Sequence, residues 1–133
     1  MTVVKSKSIE NIKAAELLIK KRMYAASVHC AYYSCFQLSS YTLAHYCKMD
    51  YQTQEDLART LKQDSHTCVC GNMRGVLRSR DEELAANYHR NYAELKKMRK
   101  KADYSSTIIT HPEAEKAKEI AEKINIILNS YPS

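Results

Sequence analysis

The sequence predicts an all-α protein, a helical bundle, and three observations carry that prediction. Glycine and proline number only two each in 133 residues, so few places are marked for turns. Apolar residues recur at steps of three and four through most of the chain, the spacing that lines one face of an α-helix. The most apolar run, from Met23 to Cys47, is too long for a strand and does not alternate. With 44% apolar and 27% charged residues, the composition is that of an ordinary globular chain. Its length suits one domain, residues 1–133, burying roughly two-thirds of the surface the unfolded chain exposes.

Ser8 is the first residue suited to cap a helix, which then runs to about Lys20 with Ile9, Ile12, Ala15, Leu18 and Ile19 inward. Lys20-Lys21-Arg22 places positive charge at its C-terminal end, where the helix dipole favours it. The second helix spans roughly Met23 to Cys47. Val28, Ala31, Tyr32, Cys35, Phe36, Leu38, Leu43 and Ala44 leave only a thin polar line through Ser27, Ser34 and Gln37. A helix with so little polar face belongs in the middle of a bundle or at a dimer seam.

From Met49 to Arg80 the pattern is weaker. Thr53 with Asp56 suits the start of a short helix through Leu57, Ala58 and Leu61, and Ser65 suits the cap of another carrying Cys68, Val69, Met73, Val76 and Leu77. Gly71 and Gly75 each weaken that piece by up to about 1 kcal/mol relative to alanine. Ser79 and Glu82 match a capping box and open a long helix whose seam is Leu84, Tyr88, Tyr92, Leu95, Met98 and Ala102. A second box, Thr110-His-Pro-Glu113, has Pro112 in the first turn, where a missing N–H costs nothing. The last helix turns Ala117, Ile120, Ala121, Ile124, Ile127, Leu128 and Tyr131 inward. The sum is four main helices plus one or two short ones.

No run of 18 apolar residues exists and the N-terminus lacks a signal-peptide layout, so a cytoplasmic protein without a membrane partner is expected. Five cysteines, an odd number scattered through helical patterns, are expected to be reduced thiols. The net charge of +6 favours an acidic partner such as RNA or an acidic protein.

The densest polar chemistry lies at Leu95-Lys-Lys-Met-Arg99-Lys-Lys-Ala-Asp103-Tyr104, where the long helical pattern runs out. Arg99 and Asp103 sit four apart and so share a face; Tyr104 follows at the helix end. The ordinary reading is an ion pair with a tyrosine packed on the next helix. Lys96, Lys97, Lys100 and Lys101 beside Arg99 suit a nucleic-acid backbone, or equally a solvated face. His66, Cys68 and Cys70 invite a metal reading, but zinc ligands pair with two residues between them and need a second cluster. No metal is expected. A Gly-rich phosphate loop and a Gly-x-Ser-x-Gly turn are both absent.

Two stretches together, Ala26-Ser-Val-His-Cys-Ala-Tyr32-Tyr33-Ser-Cys-Phe and Met98-Arg99-Lys-Lys-Ala-Asp103-Tyr104, resemble the HEPN family of small helical bundles. The likeness is to the subgroup in which Arg-x-x-x-Asp-Tyr closes the helix, and it runs from about Ile9 to Leu128. The resemblance implies an up-and-down bundle that forms a homodimer, with the arginine-bearing helix ends near the dimer cleft. It also implies a toxin–antitoxin-like module with a nucleotidyltransferase-fold antitoxin. The activity implied is a metal-independent ribonuclease, with no cofactor, that uses an arginine followed after four to six residues by a histidine.

Here the residue five beyond Arg99 is Tyr104, and the next histidine, His111, lies past a loop. A phenol of ordinary pKa, about 10, is only about 0.1% ionised near neutrality and makes a poor base. An arginine stays protonated and can hold a phosphate or steady a pentacoordinate transition state. The catalytic set expected from the resemblance is therefore Arg99 for phosphate stabilisation, Asp103 to orient it or activate the 2′-hydroxyl, and Tyr104 as a hydrogen-bond donor. His66 or His111 would be an auxiliary base, and Lys96, Lys100 and Lys101 would hold the RNA backbone. The alternative is a non-catalytic HEPN module that binds a nucleotide, RNA or a nucleotidyltransferase partner, in which Tyr104 could accept a nucleotide.

Overall fold

The computed structural model describes residues 2–131. Six helices form there: α1 (Val3–Lys20), α2 (Tyr24–Tyr46), α3 (Tyr51–Leu61), α4 (Ser65–Arg78), α5 (Glu82–Tyr104) and α6 (His111–Ser130). Four are long and two, α3 and α4, are shorter, which is the helix count the periodicity predicts.

The helix starts differ from expectation wherever an aspartate or an earlier threonine competes for the cap. α1 is capped by Thr2, whose side chain accepts from the Lys5 N–H, so Ser8 falls inside the helix. α3 is capped by Asp50, α4 by Asp64 and α5 by Asp81, in place of Thr53, Ser65 and Ser79. A carboxylate makes a stronger, charge-assisted bond to the free N–H groups than a hydroxyl does. The Thr53 and Thr67 backbone N–H groups accordingly hold the Asp50 and Asp64 carboxyls below their ordinary pKa. The box on α6 forms as expected, with Thr110 and Glu113 bonded reciprocally. With so few glycines, three chain reversals use left-handed residues that carry side chains: Arg22, Lys48 and Lys62, at φ of 60°, 55° and 55°.

α2 packs on each of the other five helices. Of its polar line Ser27 and Ser34 are buried, and they stitch helices together rather than facing water. The Ser27 hydroxyl donates to the Ala15 carbonyl at 2.7 Å, Ser8 to the Ser34 carbonyl at 2.7 Å, and Ser34 back to the Ser8 carbonyl at 2.8 Å. These pairings run in opposite senses along α1 and α2, so the two are antiparallel. Further along, Ser39 meets the Tyr88 hydroxyl at 2.8 Å and His29 meets Asp103, which makes α2 and α5 antiparallel. Lys101 to Glu113 and Glu94 to Lys116 do the same for α5 and α6. The four long helices thus alternate in direction around one core.

That core holds Val28, Ala31, Leu43, Met73, Leu77, Leu95, Ile124 and Leu128, with three fully buried tyrosines, Tyr32, Tyr88 and Tyr92. Of the α5 seam, Tyr88, Tyr92 and Leu95 are buried while Leu84, Met98 and Ala102 pack at the margin. Among the described residues no helix is long and apolar enough to cross a membrane.

Candidate functional site

Three helices converge on Arg99. α5 runs to Tyr104 and stops as Ser105 turns to extended backbone, which leaves the last turn of α5 beside the first turns of α2. The 3.6-residue period then puts His29, Tyr32, Tyr33 and Phe36 of α2 on the side facing it. His66 arrives from the first turn of α4, and Lys96 is tied to that turn through a 3.1 Å hydrogen bond to Thr67 Oγ1.

The Arg99 guanidinium lies over two rings, 4.7 Å from the Tyr32 ring centre and 5.9 Å from that of Tyr104. Its nearest carboxylate oxygen is Asp103 Oδ2 at 3.6 Å. That is a loose pairing, and the side chain is only 11% exposed. Its Nε is buried with no hydrogen-bond acceptor among the described residues. Burial pulls the Arg99 pKa down, but the oxygens of Tyr32, Tyr33, Asp103 and Tyr104 together more than reverse this, so the group is firmly charged. An arginine with a free donor and a weakly engaged fork is suited to receive a phosphate.

Asp103 has a second and closer partner. His29 Nδ1 lies 3.0 Å and 3.1 Å from its two carboxylate oxygens. A carboxylate that accepts from Nδ1–H fixes the imidazole's tautomer and leaves the Nε2 lone pair free. The His29 side chain is 46% exposed, so that lone pair is reachable. Its ring rests on Tyr33, centre to centre 4.6 Å.

His66 is held in a different way. It stacks on Phe36 at 3.9 Å, meets Tyr33 edge-on at 5.2 Å, and its Nδ1 is 2.9 Å from the Tyr32 hydroxyl. Burial, and then the charge of Arg99, hold its pKa below the ordinary histidine value, so the ring is neutral. Burial pushes the Tyr32 phenol up, so it keeps its proton. A phenol that donates to Nδ1 leaves the His66 proton on Nε2. His66 and Phe36 also line one end of a groove of about 800 Å³ that runs along α3 past Gln54, Arg59 and Gln63.

The structure thus brings Arg99, Asp103, Tyr104, His66 and Lys96 into one neighbourhood. Tyr104 is 78% exposed and forms its rim. Lys101 is turned to α6, where it pairs with Glu113 at 2.6 Å, and Lys100 faces solvent. His111 belongs to a different set of contacts: its ring lies edge-on to Tyr24 at 5.4 Å and its Nε2 is 3.4 Å from Glu115. Among the described residues no three histidine, cysteine or acidic side chains are grouped to hold a metal ion; Cys68 is buried and takes a contact from Asn72.

Sequence reasoning missed His29. The signal was present: His29, Tyr32, Tyr33 and Phe36 recur at helical spacing within the stretch that carries the family likeness. A titratable residue on such an aromatic stripe marks a site facing another helix. Compared with protein-family models, with curated proteins and with solved structures, the chain finds no match.

Proposed function

We propose that the chain is a HEPN-type, metal-independent ribonuclease, with His29 as the base that the Arg-x-x-x-Asp-Tyr helix lacks. One observation carries this reading: a histidine from α2 is clamped to Asp103, beside an arginine with a free donor. In the proposed reaction His29 Nε2 takes the proton of a ribose 2′-hydroxyl while Asp103 holds Nδ1–H. The 2′-oxygen attacks phosphorus, Arg99 stabilises the charge on the pentacoordinate phosphorane, and the bond to the 5′-oxygen breaks. That oxygen takes a proton from water, the hydroxide left behind takes back the proton held on His29 Nε2, and the products are a 2′,3′-cyclic phosphate and a 5′-hydroxyl. His66 Nε2–H and Tyr104 serve as hydrogen-bond donors to the phosphate, and Lys96 and Lys100 attract the strand.

The same reading carries a cytoplasmic homodimer that closes over the exposed Tyr104 and Ile108, and a nucleotidyltransferase-fold antitoxin as partner. The second reading is a non-catalytic HEPN module that binds a nucleotide or RNA. The cluster of aromatic rings formed by Phe36, His66 and Tyr33 beside Arg99 favours it, because bases stack on such rings and phosphates dock on arginine.

Mixed single-stranded RNA incubated with purified protein in chelator separates the two. Cleavage to cyclic-phosphate ends, lost in both His29→Ala and Arg99→Ala, supports the ribonuclease. Cleavage that survives His29→Ala removes the base assigned here. Binding without cleavage, abolished by Arg99→Ala, selects the second reading, and neither binding nor cleavage ends both.

A further inference from the structure

On the far side of Lys96 from Arg99 lies a second groove, about 280 Å³ in volume, between α4 and α5. Its lining includes Thr67, Cys70, Arg74, His89, Tyr92 and Lys96. We propose that this groove is a second phosphate subsite, which holds an RNA phosphodiester a few nucleotides along the strand from the one at Arg99. The inference rests on RNA being the ligand at Arg99.

Four features of the groove argue for an anion. Two permanent cations, Arg74 and Lys96, line it, and no carboxylate does. Arg74 makes no ion pair with any described residue, and its Nε is buried without an acceptor. A desolvated guanidinium donor of that kind is unfavourable until an acceptor arrives. The rest of the lining includes the buried ring of Tyr92 with Ala93 and Gly71, and a low-polarity wall strengthens a charge–charge attraction over its value in open water. Burial pushes the Cys70 thiol up to about 11, so it stays neutral and does not compete as an anion.

Asp64, an acid that feels the charge of Lys96, is already taken up at the α4 N-cap by the Thr67 N–H and hydroxyl, each at 2.8 Å. Lys96 itself donates to Thr67 Oγ1, which aims its ammonium along the α4–α5 seam. Two helices facing each other in this way present one row of positive groups.

The spacing suits a strand rather than a single small ion. α4 and α5 run antiparallel, with Thr67 opposite Lys96 and Arg74 near His89. From His89 to Arg99 along α5 is about 15 Å at 1.5 Å per residue. At about 3.4 Å per stacked nucleotide that length covers roughly four nucleotides. A chain laid along α5 would meet Arg99, Lys96 and Arg74 in turn.

The test titrates labelled single-stranded RNA, as a hexanucleotide and as a dinucleotide with one phosphodiester, at several salt concentrations against the full chain. The variants are Arg74→Gln, Gly71→Glu and Arg99→Ala. A Cβ built at Gly71 meets no atom within 4 Å, so Gly71→Glu puts a carboxylate in the groove without disturbing the core and keeps the test open should Arg74→Gln unfold. Expected is several-fold weaker hexanucleotide binding in Arg74→Gln, and a plot of log affinity against log salt shallower by about 0.7, the contribution of one lost contact to a single strand. Gly71→Glu weakens the hexanucleotide likewise, and dinucleotide binding is indifferent to both.

If both groove variants bind the hexanucleotide as the parent does while Arg99→Ala fails, the second subsite is overturned and the Arg99 site stands. If Arg99→Ala also binds normally, the functional reading falls with it. Adenosine triphosphate serves as the competing source of phosphate. Binding of the triphosphate that depends on Arg74, with hexanucleotide binding that does not, assigns the groove to free nucleotides and overturns the strand assignment.

Discussion

His29 Nδ1 stands 3.0 Å from the Asp103 carboxylate, across 74 residues of chain. That contact turns an intrahelical pairing of Arg99 and Asp103, ordinary on any helix surface, into a three-member cluster with a reachable imidazole. Asp103 then orients two partners at once, and neither holds it fully.

In the proposed ribonuclease reaction Arg99→Ala is expected to lower the cleavage rate about 100-fold or more, the usual loss when one oxyanion-stabilising donor is removed. Arg99→Lys should recover little of this, because an ammonium cannot offer the planar fork that grips a phosphate. Single-turnover rates with saturating RNA decide it. Full activity in Arg99→Lys would show that only the charge matters there.

Stability should fall as pH drops from 7 towards 5, and His66 is one cause. In the unfolded chain an imidazole takes its proton near pH 6.5. In the folded protein burial and Arg99 push that event lower. Between those two points only the unfolded chain carries the proton, so this stability is fully present above about pH 6.5 and is lost as pH falls through the window. His89, lowered by burial and by Arg74, acts in the same direction. Asp50, Asp64 and Glu113 also have lowered pKa values, but carboxylates begin to cost stability only below about pH 4.5. Thermal unfolding of the parent and His66→Gln at pH 7 and 5 should differ in slope, the variant being flatter. Nuclear magnetic resonance should find His66 titrating at a higher pH in Arg99→Ala. Equal slopes, or an unmoved His66, would contradict the assignment.

Ser8→Ala should destabilise by about 1–2 kcal/mol, because the Ser34 carbonyl and hydroxyl lose the buried Ser8 hydroxyl as a hydrogen-bonding neighbour. Ser8→Asp tells a cap from an interhelical contact. An aspartate at a true N-cap is neutral or stabilising, whereas here it would bury a charge against α2 and cost several times more than alanine. Urea unfolding of the three proteins measures it, and a stable Ser8→Asp would restore Ser8 as a cap.

Two glycine exchanges in opposite directions should both stabilise. Lys62 ends α3 at φ 55°, a conformation in which a side chain is strained and glycine is not, so Lys62→Gly should gain about 0.5–1 kcal/mol. Gly75 lies within α4, and a Cβ there meets nothing within 4 Å, so Gly75→Ala should gain a similar amount, roughly 0.5–1 kcal/mol. A rise in the midpoint of thermal unfolding of a few degrees for each is the expected readout. A fall in Gly75→Ala would mean that helix α4 is packed more tightly than its open side indicates.

What the sequence determined by itself was the set of helices and the inward faces of most of them. Leu84 to Ala102 traces one stripe of α5, Ala117 to Leu128 one stripe of α6, and Thr110 with Glu113 a start for α6, because these are relations between residues three and four apart. The same local logic put Arg99 and Asp103 on one side of a helix end. Cap identity was less legible, since Ser65 and Ser79 suit the role until Asp64 and Asp81 compete for the same N–H groups.

Only the tertiary structure decided which face of α2 meets α5, and so joined His29 to Asp103 and Tyr32 to His66. It also sent Lys101 to Glu113 and His111 to Glu115, and left Arg74 and Lys96 together in a groove. The physical reason is that periodicity records how each helix divides its apolar and polar sides, a local free energy. Which polar side chains meet across helices depends on the rotation and depth at which those helices pack, and that is settled by the whole core at once.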